Sequence, residues 1–163
     1  MTDRLWSPWR MEYIRAAGAE DAEGCIFCDL PAEDDDERNL ILVRGEQAFV
    51  ILNRFPYNAG HLMVAPFRHV ADYEALTEGE LLEGERLIQR SIVALREEMG
   101  PHGFNLGVNL GRVAGAGILD HLHWHVVPRW GGDTNFMPVV GKTKVLPELL
   151  EETRQRLAAR LGR

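Results

Sequence analysis

No apolar run in this chain of 163 residues approaches the roughly 18–20 that a bilayer-spanning helix needs. The opening stretch, MTDRLWSPWRMEYIRAAGAE, also lacks the apolar core of a secretory signal, so a cytoplasmic protein is expected. Positive charge is in deficit: 18 Lys and Arg stand against 25 Asp and Glu, a net charge of −7. That excludes coating nucleic acid or an anionic membrane as the main task, while leaving room for a small anion in a locally basic pocket. Cysteine is scarce. The two present are spaced Cys25-x-x-Cys28, which in a reducing compartment points to a metal or redox pair rather than a structural disulfide. No thioredoxin-like pattern accompanies them, which disfavours the redox reading.

What is present suits one ordinary globular domain: 45% hydrophobic and 26% charged residues, with no internal repeat and no interdomain linker. Ser7-Pro8 reads as the start of a short aromatic helix carrying Trp9, Tyr13 and Ile14. The charge run AEDDDER at 32–38 reads as a solvated loop. Strands are expected at Leu40–Val43 and Ala48–Leu52, joined by the turn Arg44-Gly45-Glu46-Gln47, and at His61–Ala65. Thr77-Glu78-Gly79-Glu80 fits a capping box opening a long amphipathic helix that Gly100-Pro101 stops. Strands at Phe104–Leu110 and His121–Val127 and a helix at Pro147–Leu161 complete the reading. The fold class is therefore α+β, with a five-stranded, mostly antiparallel sheet, a long helix and a C-terminal helix.

The chemistry concentrates in Asp120-His121-Leu122-His123-Trp124-His125-Val126-Val127. Alternate residues of a strand face one side, so His121, His123 and His125 are expected together, with Leu122, Trp124 and Val126 packed into the core behind them. Two chemistries fit three imidazoles on one face. One is a zinc hydrolase using them as ligands. The other is a nucleophilic histidine flanked by histidines that orient it and bind an anion. The preceding loop, Asn109-Leu110-Gly111-Arg112-Val113-Ala114-Gly115-Ala116-Gly117, has glycines that let backbone N–H groups approach phosphate oxygens. Beside a histidine face it points to phosphoryl or nucleotidyl transfer. Arg54, Arg112 and Arg129 are candidates to offset the overall acidity.

The stretch His121-Leu122-His123-Trp124-His125-Val126-Val127 resembles the His-x-His-x-His-x-x signature of the histidine triad (HIT) superfamily. Asn53 through Pro66, with Phe67-Arg68-His69, is similar to that family's first nucleotide-binding stretch. The flanks, Leu5 to Ile14 and Val127-Pro128-Arg129-Trp130 with Asp133 to Phe136, look like the bacterial branch that phosphorolyses diadenosine tetraphosphate (Ap4A). The resemblance implies a single HIT domain over 1–163, with a core at about 25–130 and extensions at 1–24 and 131–163. It implies His123 as the nucleophile forming a nucleotidyl-histidine, with His121 and His125 completing the catalytic triad and His125 on the transferred phosphate. It also implies that Asn109, Arg112 and Gly117 hold phosphates, that Asn53 contacts ribose or base, and that Trp130 lies near the substrate. For Cys25 and Cys28 it implies a structural zinc completed by His69 and His121, and for the assembly at least a homodimer, or a higher homo-oligomer, with sheets joined edge to edge. Partners would be a nucleotide and inorganic phosphate. Many HIT hydrolases carry Gln and then Ser or Thr where this chain has Gly117 and Ile118. That difference favours phosphorolysis; hydrolysis of nucleotides or phosphoramidates is the alternative.

Overall fold

The computed structural model describes residues 24–133 and 148–162. The expected helix after Ser7-Pro8 lies outside them, as does Pro147 at the start of the C-terminal helix. Five strands form one sheet in the order β1-β2-β3-β5-β4, every neighbouring pair antiparallel. They are β1 (Ile41–Arg44), β2 (Ala48–Leu52), β3 (Leu62–Pro66), β4 (Gly103–Val108) and β5 (Trp124–Arg129). Among the described residues three α-helices accompany them: α1 (Ile26–Ala32), α2 (Glu78–Met99) and α3 (Leu150–Leu161).

The β1–β2 hairpin turns where Gly45 interrupts the apolar run. Glu83 of α2 fixes that turn, its carboxylate accepting the N–H groups of Glu46, Gln47 and Ala48 at 2.8, 2.5 and 2.9 Å. Strands β2 and β3 are buried at every position, as expected of central strands covered on both faces. Helix α2 starts as the residues demand. Thr77 Oγ1 accepts from the Glu80 N–H, and the Glu80 carboxylate accepts from the Thr77 N–H, a reciprocal cap of about 1 kcal/mol. Arg68 grips the same carboxylate through two 2.8 Å bonds and holds its pKa down to about 2. At the other end Gly100, with φ of 57°, takes the left-handed conformation that closes the helix.

Helix α2 lies against the face of β5 that carries Trp124 and Val126, both buried with Leu122 as anticipated. The approach needs a glycine: a Cβ at Gly84 would stand 3.2 Å from the Trp124 indole. The indole thus anchors the residue between His123 and His125 from behind and leaves those two for the opposite side.

Two expectations are corrected. The last strand begins at Trp124, not His121. Upstream of it the Leu122 N–H bonds to Val70 O at 2.7 Å, off the β3 ladder, whose pairing with β5 ends at Val64–Trp124. Helix α1, over the cysteine pair, was not anticipated. It has seven residues and no side-chain cap, and is held by burial of Phe27 and Pro31 rather than by local signals.

Candidate active site and metal cluster

Because the strand starts late, the three histidines do not act as one row. His121 leaves it. Its Nε2–H donates to Pro66 O at 2.9 Å, which leaves Nδ1 as a lone pair, 3.2 Å from Cys25 Sγ and 3.6 Å from Cys28 Sγ. His69 Nδ1 lies 3.4 Å from Cys28 Sγ. The four ligand atoms of Cys25, Cys28, His69 and His121 all fall within 4.8 Å of one another. A tetrahedral zinc with bonds near 2.3 Å to sulfur and 2.0–2.1 Å to nitrogen has ligand-to-ligand edges of about 3.5 Å. The donor types and spacing therefore fit a closed Cys2His2 site. Two outer contacts support it: the Pro66 carbonyl orients His121, and Asp120 stands 3.8 Å from His69 Nε2. Without a metal, burial pushes the Cys25 thiol up to about 11.

His123 and His125 remain neighbours, with ring centroids 4.9 Å apart at 78°. His123 is almost fully buried, and its Nδ1–H donates to the His121 carbonyl at 3.0 Å. A carbonyl can only accept, so Nε2 holds the free lone pair. Burial, foremost, lowers the His123 pKa, with a smaller push from His121. A neutral imidazole with a defined lone pair is what a nitrogen nucleophile requires. Phe27 of α1 packs against both His121 and His123, at 5.3 and 4.8 Å between centroids. The metal cluster and the candidate nucleophile thus share a backbone carbonyl and one aromatic ring.

A fourth histidine completes the constellation, and its role was not anticipated. His61, fully buried, precedes β3. Its Nδ1 accepts the Tyr57 N–H at 3.0 Å and lies 3.4 Å from Asn53 Nδ2. Backbone N–H can only donate, so His61 carries its proton on Nε2, which donates to His125 Nδ1 at 3.0 Å. His125 in turn carries its proton on Nε2. Asn109 Nδ2 stands 3.5 Å from that atom, an approach of two N–H donors and not a hydrogen bond; the amide serves as acceptor there only with its oxygen turned toward the ring. The Tyr57 ring stacks on His61 at 4.7 Å and reaches His125 at 5.9 Å. The sequence signal was a histidine at the mouth of a strand expected in the sheet. Its pairing with a residue 64 positions away depends on β3 lying beside β5.

The remaining predicted residues are Asn53, Arg112, Gly117 and Trp130. Asn53 braces His61, and its Oδ1 accepts the Phe55 N–H at 2.8 Å. Arg112 is exposed on a 3-10 turn, Arg112–Ala114, flanked by Gly111 and Gly115 with φ of 79° and 93°, values that only glycine adopts readily. The N–H groups of Gly115 and Ala116 are used inside the loop, on Arg112 O and Gly111 O. Those of Gly117 and Ile118 have no partner among the described residues. Trp130 is half-buried and follows β5. Of the three candidate cations, Arg129 is committed to Asp133 and Asn105, and Arg54 reaches Arg38 O at 3.4 Å. The zinc-hydrolase reading, with all three triad histidines on one metal, fails: of the three, His121 alone joins the cysteines and His69, while His123 and His125 bond to a carbonyl and to His61.

Comparison with known proteins agrees with this geometry. The family model described as the HIT domain matches residues 36–132. An AP-4-A phosphorylase of Mycobacterium tuberculosis is 43% identical over 166 residues, covering 98% of this chain and 85% of that protein. Among solved structures, a zinc-bound histidine triad family protein from Mycobacterium smegmatis superposes with a TM-score of 0.69 at 27% identity, covering 85% of this chain and 94% of that one. A HIT family member from Bacillus subtilis gives 0.62 at 25% identity, covering 86% and 96%. With the family model spanning more than half of its length and its histidines arranged as described, the chain belongs to the histidine triad family.

Proposed function

We propose that this protein is a nucleotidyltransferase that splits Ap4A with inorganic phosphate, giving ADP and ATP through a nucleotidyl group on His123. The observation that carries the reading is the His123 imidazole, its Nδ1–H tied to the His121 carbonyl at 3.0 Å and its Nε2 lone pair left for attack. In the first step Nε2 attacks the α-phosphorus in line; the N–P bond forms as the P–O bond to departing ATP breaks. In the second, a phosphate oxygen attacks the same phosphorus, the N–P bond breaks, and ADP leaves with the lone pair restored to His123. The His125 Nε2–H supplies a fixed hydrogen bond to the transferred phosphoryl oxygens. Asn109, Arg112 and the backbone at Gly117 are the groups we assign to the remaining phosphates, Asn53 and Trp130 to the nucleoside end. Such transfer depends on alignment and charge compensation more than on covalent ingenuity.

Gly117 and Ile118 bring no side-chain donor to the phosphates, and their backbone N–H groups, without a partner among the described residues, are the ones we assign to a second anion. A positioned acceptor gains up to about 7–11 kcal/mol over a free encounter, enough for bound phosphate to outcompete water. The name of the tuberculosis relative supports the same choice. With Ap4A and millimolar phosphate, ADP and ATP are expected in equal amounts at a rate that rises with phosphate. AMP and ATP at a rate indifferent to phosphate would make the enzyme a hydrolase.

We assign a structural zinc to Cys25, Cys28, His69 and His121. With four protein ligands the ion would hold the fold and take no part in bond making. No helix among the described residues is long and apolar enough to cross a membrane, and we retain the expectation of a cytoplasmic enzyme without nucleic-acid or membrane partners. Strand β4 lies at the sheet edge with Leu106 53% exposed. Exposed edges invite pairing, and we read this one as the joint of a homodimer. Sedimentation equilibrium should return a dimer that Leu106→Lys weakens; a wild-type monomer at micromolar concentration would reject the assembly.

A further inference from the structure

The turn after β5 holds a carboxylate that the reaction above does not use. Asp133 has a side chain 8% exposed. Its Oδ2 accepts from Arg129 Nε at 2.5 Å, from Asn58 Nδ2 at 2.8 Å and from the Trp130 N–H at 3.2 Å; its Oδ1 accepts from Arg129 at 3.0 Å. Arg129 holds this carboxyl down to about 2, so it stays ionised and remains an acceptor. Asn58, the residue it pins, also donates to Pro128 O at 3.0 Å, and its own carbonyl accepts the His61 N–H at 3.1 Å. Asn58 follows Tyr57, whose N–H places the lone pair of His61 on Nδ1 and so sends a proton through Nε2 to His125.

We propose that Asp133 is a positioning residue: through Asn58 it holds the Tyr57 amide on His61 and thereby keeps the proton of His125 on the Nε2 that faces the transferred phosphate. The chain of contacts is Asp133, Asn58, Tyr57, His61, His125. Each link is either a hydrogen bond of 3.0 Å or less or a peptide bond. A carboxylate needed only for stability would be satisfied by Arg129. Its bond to Asn58 joins the turn after the triad strand to the turn that serves His61. The inference rests on the proposed role of His125, yet half of its test needs no substrate.

In the full-length protein labelled with nitrogen-15 at histidine, the ring nitrogens of His61 and His125 should both report the Nε2–H tautomer. Asp133→Ala should populate the Nδ1–H form at one or both rings. Its kcat for Ap4A should fall about 10-fold to 100-fold, the scale of a slight misplacement of reacting groups, with KM changed less than about threefold. Asn58→Ala leaves the Asp133–Arg129 pair in place and should reproduce both changes if the aspartate variant does not fold. The double variant should be no slower than the worse single, since both act on one linkage. Unchanged tautomers in the variants overturn the proposal, whatever happens to kcat, as do additive losses. If Ap4A proves not to be the substrate, the tautomer measurement still decides the inference on its own.

Discussion

His123→Ala is expected to remain folded and lose essentially all turnover. Removal of a covalent nucleophile typically costs several orders of magnitude in rate, on the order of 10⁴-fold or more. The structural cost is smaller. His123 contributes one hydrogen bond to a carbonyl and ring contacts with Phe27 and His125. Losing them costs about 1–3 kcal/mol, against a typical domain stability of about 5–15 kcal/mol. Circular dichroism and a melting curve check the fold, and product formation from Ap4A checks the chemistry. A folded variant keeping a tenth of the wild-type rate would remove His123 from the role of nucleophile.

The second large effect concerns the metal. Freshly purified protein should carry about one zinc per chain, and Cys28→Ser or a strong chelator should lower the melting temperature by about 10 °C. The magnitude follows from two considerations. Breaking a half-exposed cluster of this kind costs about 3–5 kcal/mol, well below the roughly 10–16 kcal/mol of peptides that fold only on metal, because this chain has a core of its own. For a protein of this size 1 kcal/mol moves the melting point by about 2–4 °C. Activity should fall with the metal, although an ion held by four protein ligands would have no position left for substrate. His121 binds at the cluster with one nitrogen and holds the His123 Nδ1–H with its carbonyl, and Phe27, between the two cysteines, lies against both imidazoles. Metal-free protein whose melting point ignores chelator would reject the assignment.

How much of this was legible in the sequence depended on range. Features set within a few residues were readable: the capping box at Thr77 and Glu80, the stop at Gly100, the Gly45 turn, the apolar backing of Leu122, Trp124 and Val126. The cysteine pair was readable as half a metal site, and the resemblance supplied His69 and His121, which the structure brings within reach. What was not legible came from contacts between distant segments. A strand pattern over His121–Val127 gave no sign that Leu122 bonds to Val70 and frees His121 for the cysteines. Nothing local marked His61 as the partner of His125, since that contact exists only because β3 and β5 are neighbours. Arg129 looked like a cation available to phosphate, whereas Asp133 four residues on engages it. Helix α1 escaped because its stability comes from where Phe27 is buried rather than from its own residues.

The central claim is that a nucleotidyl group passes through His123 on its way to phosphate. Its most direct test is a rapid acid-free quench of enzyme mixed with Ap4A in phosphate-free buffer, followed by peptide mass analysis. The account predicts one adenylyl group on the peptide that spans His123, absent from His123→Ala, and its discharge as ADP when phosphate is added. No adduct on that peptide at any time point before phosphate is added, with ADP then formed at the normal rate on its addition, would contradict it.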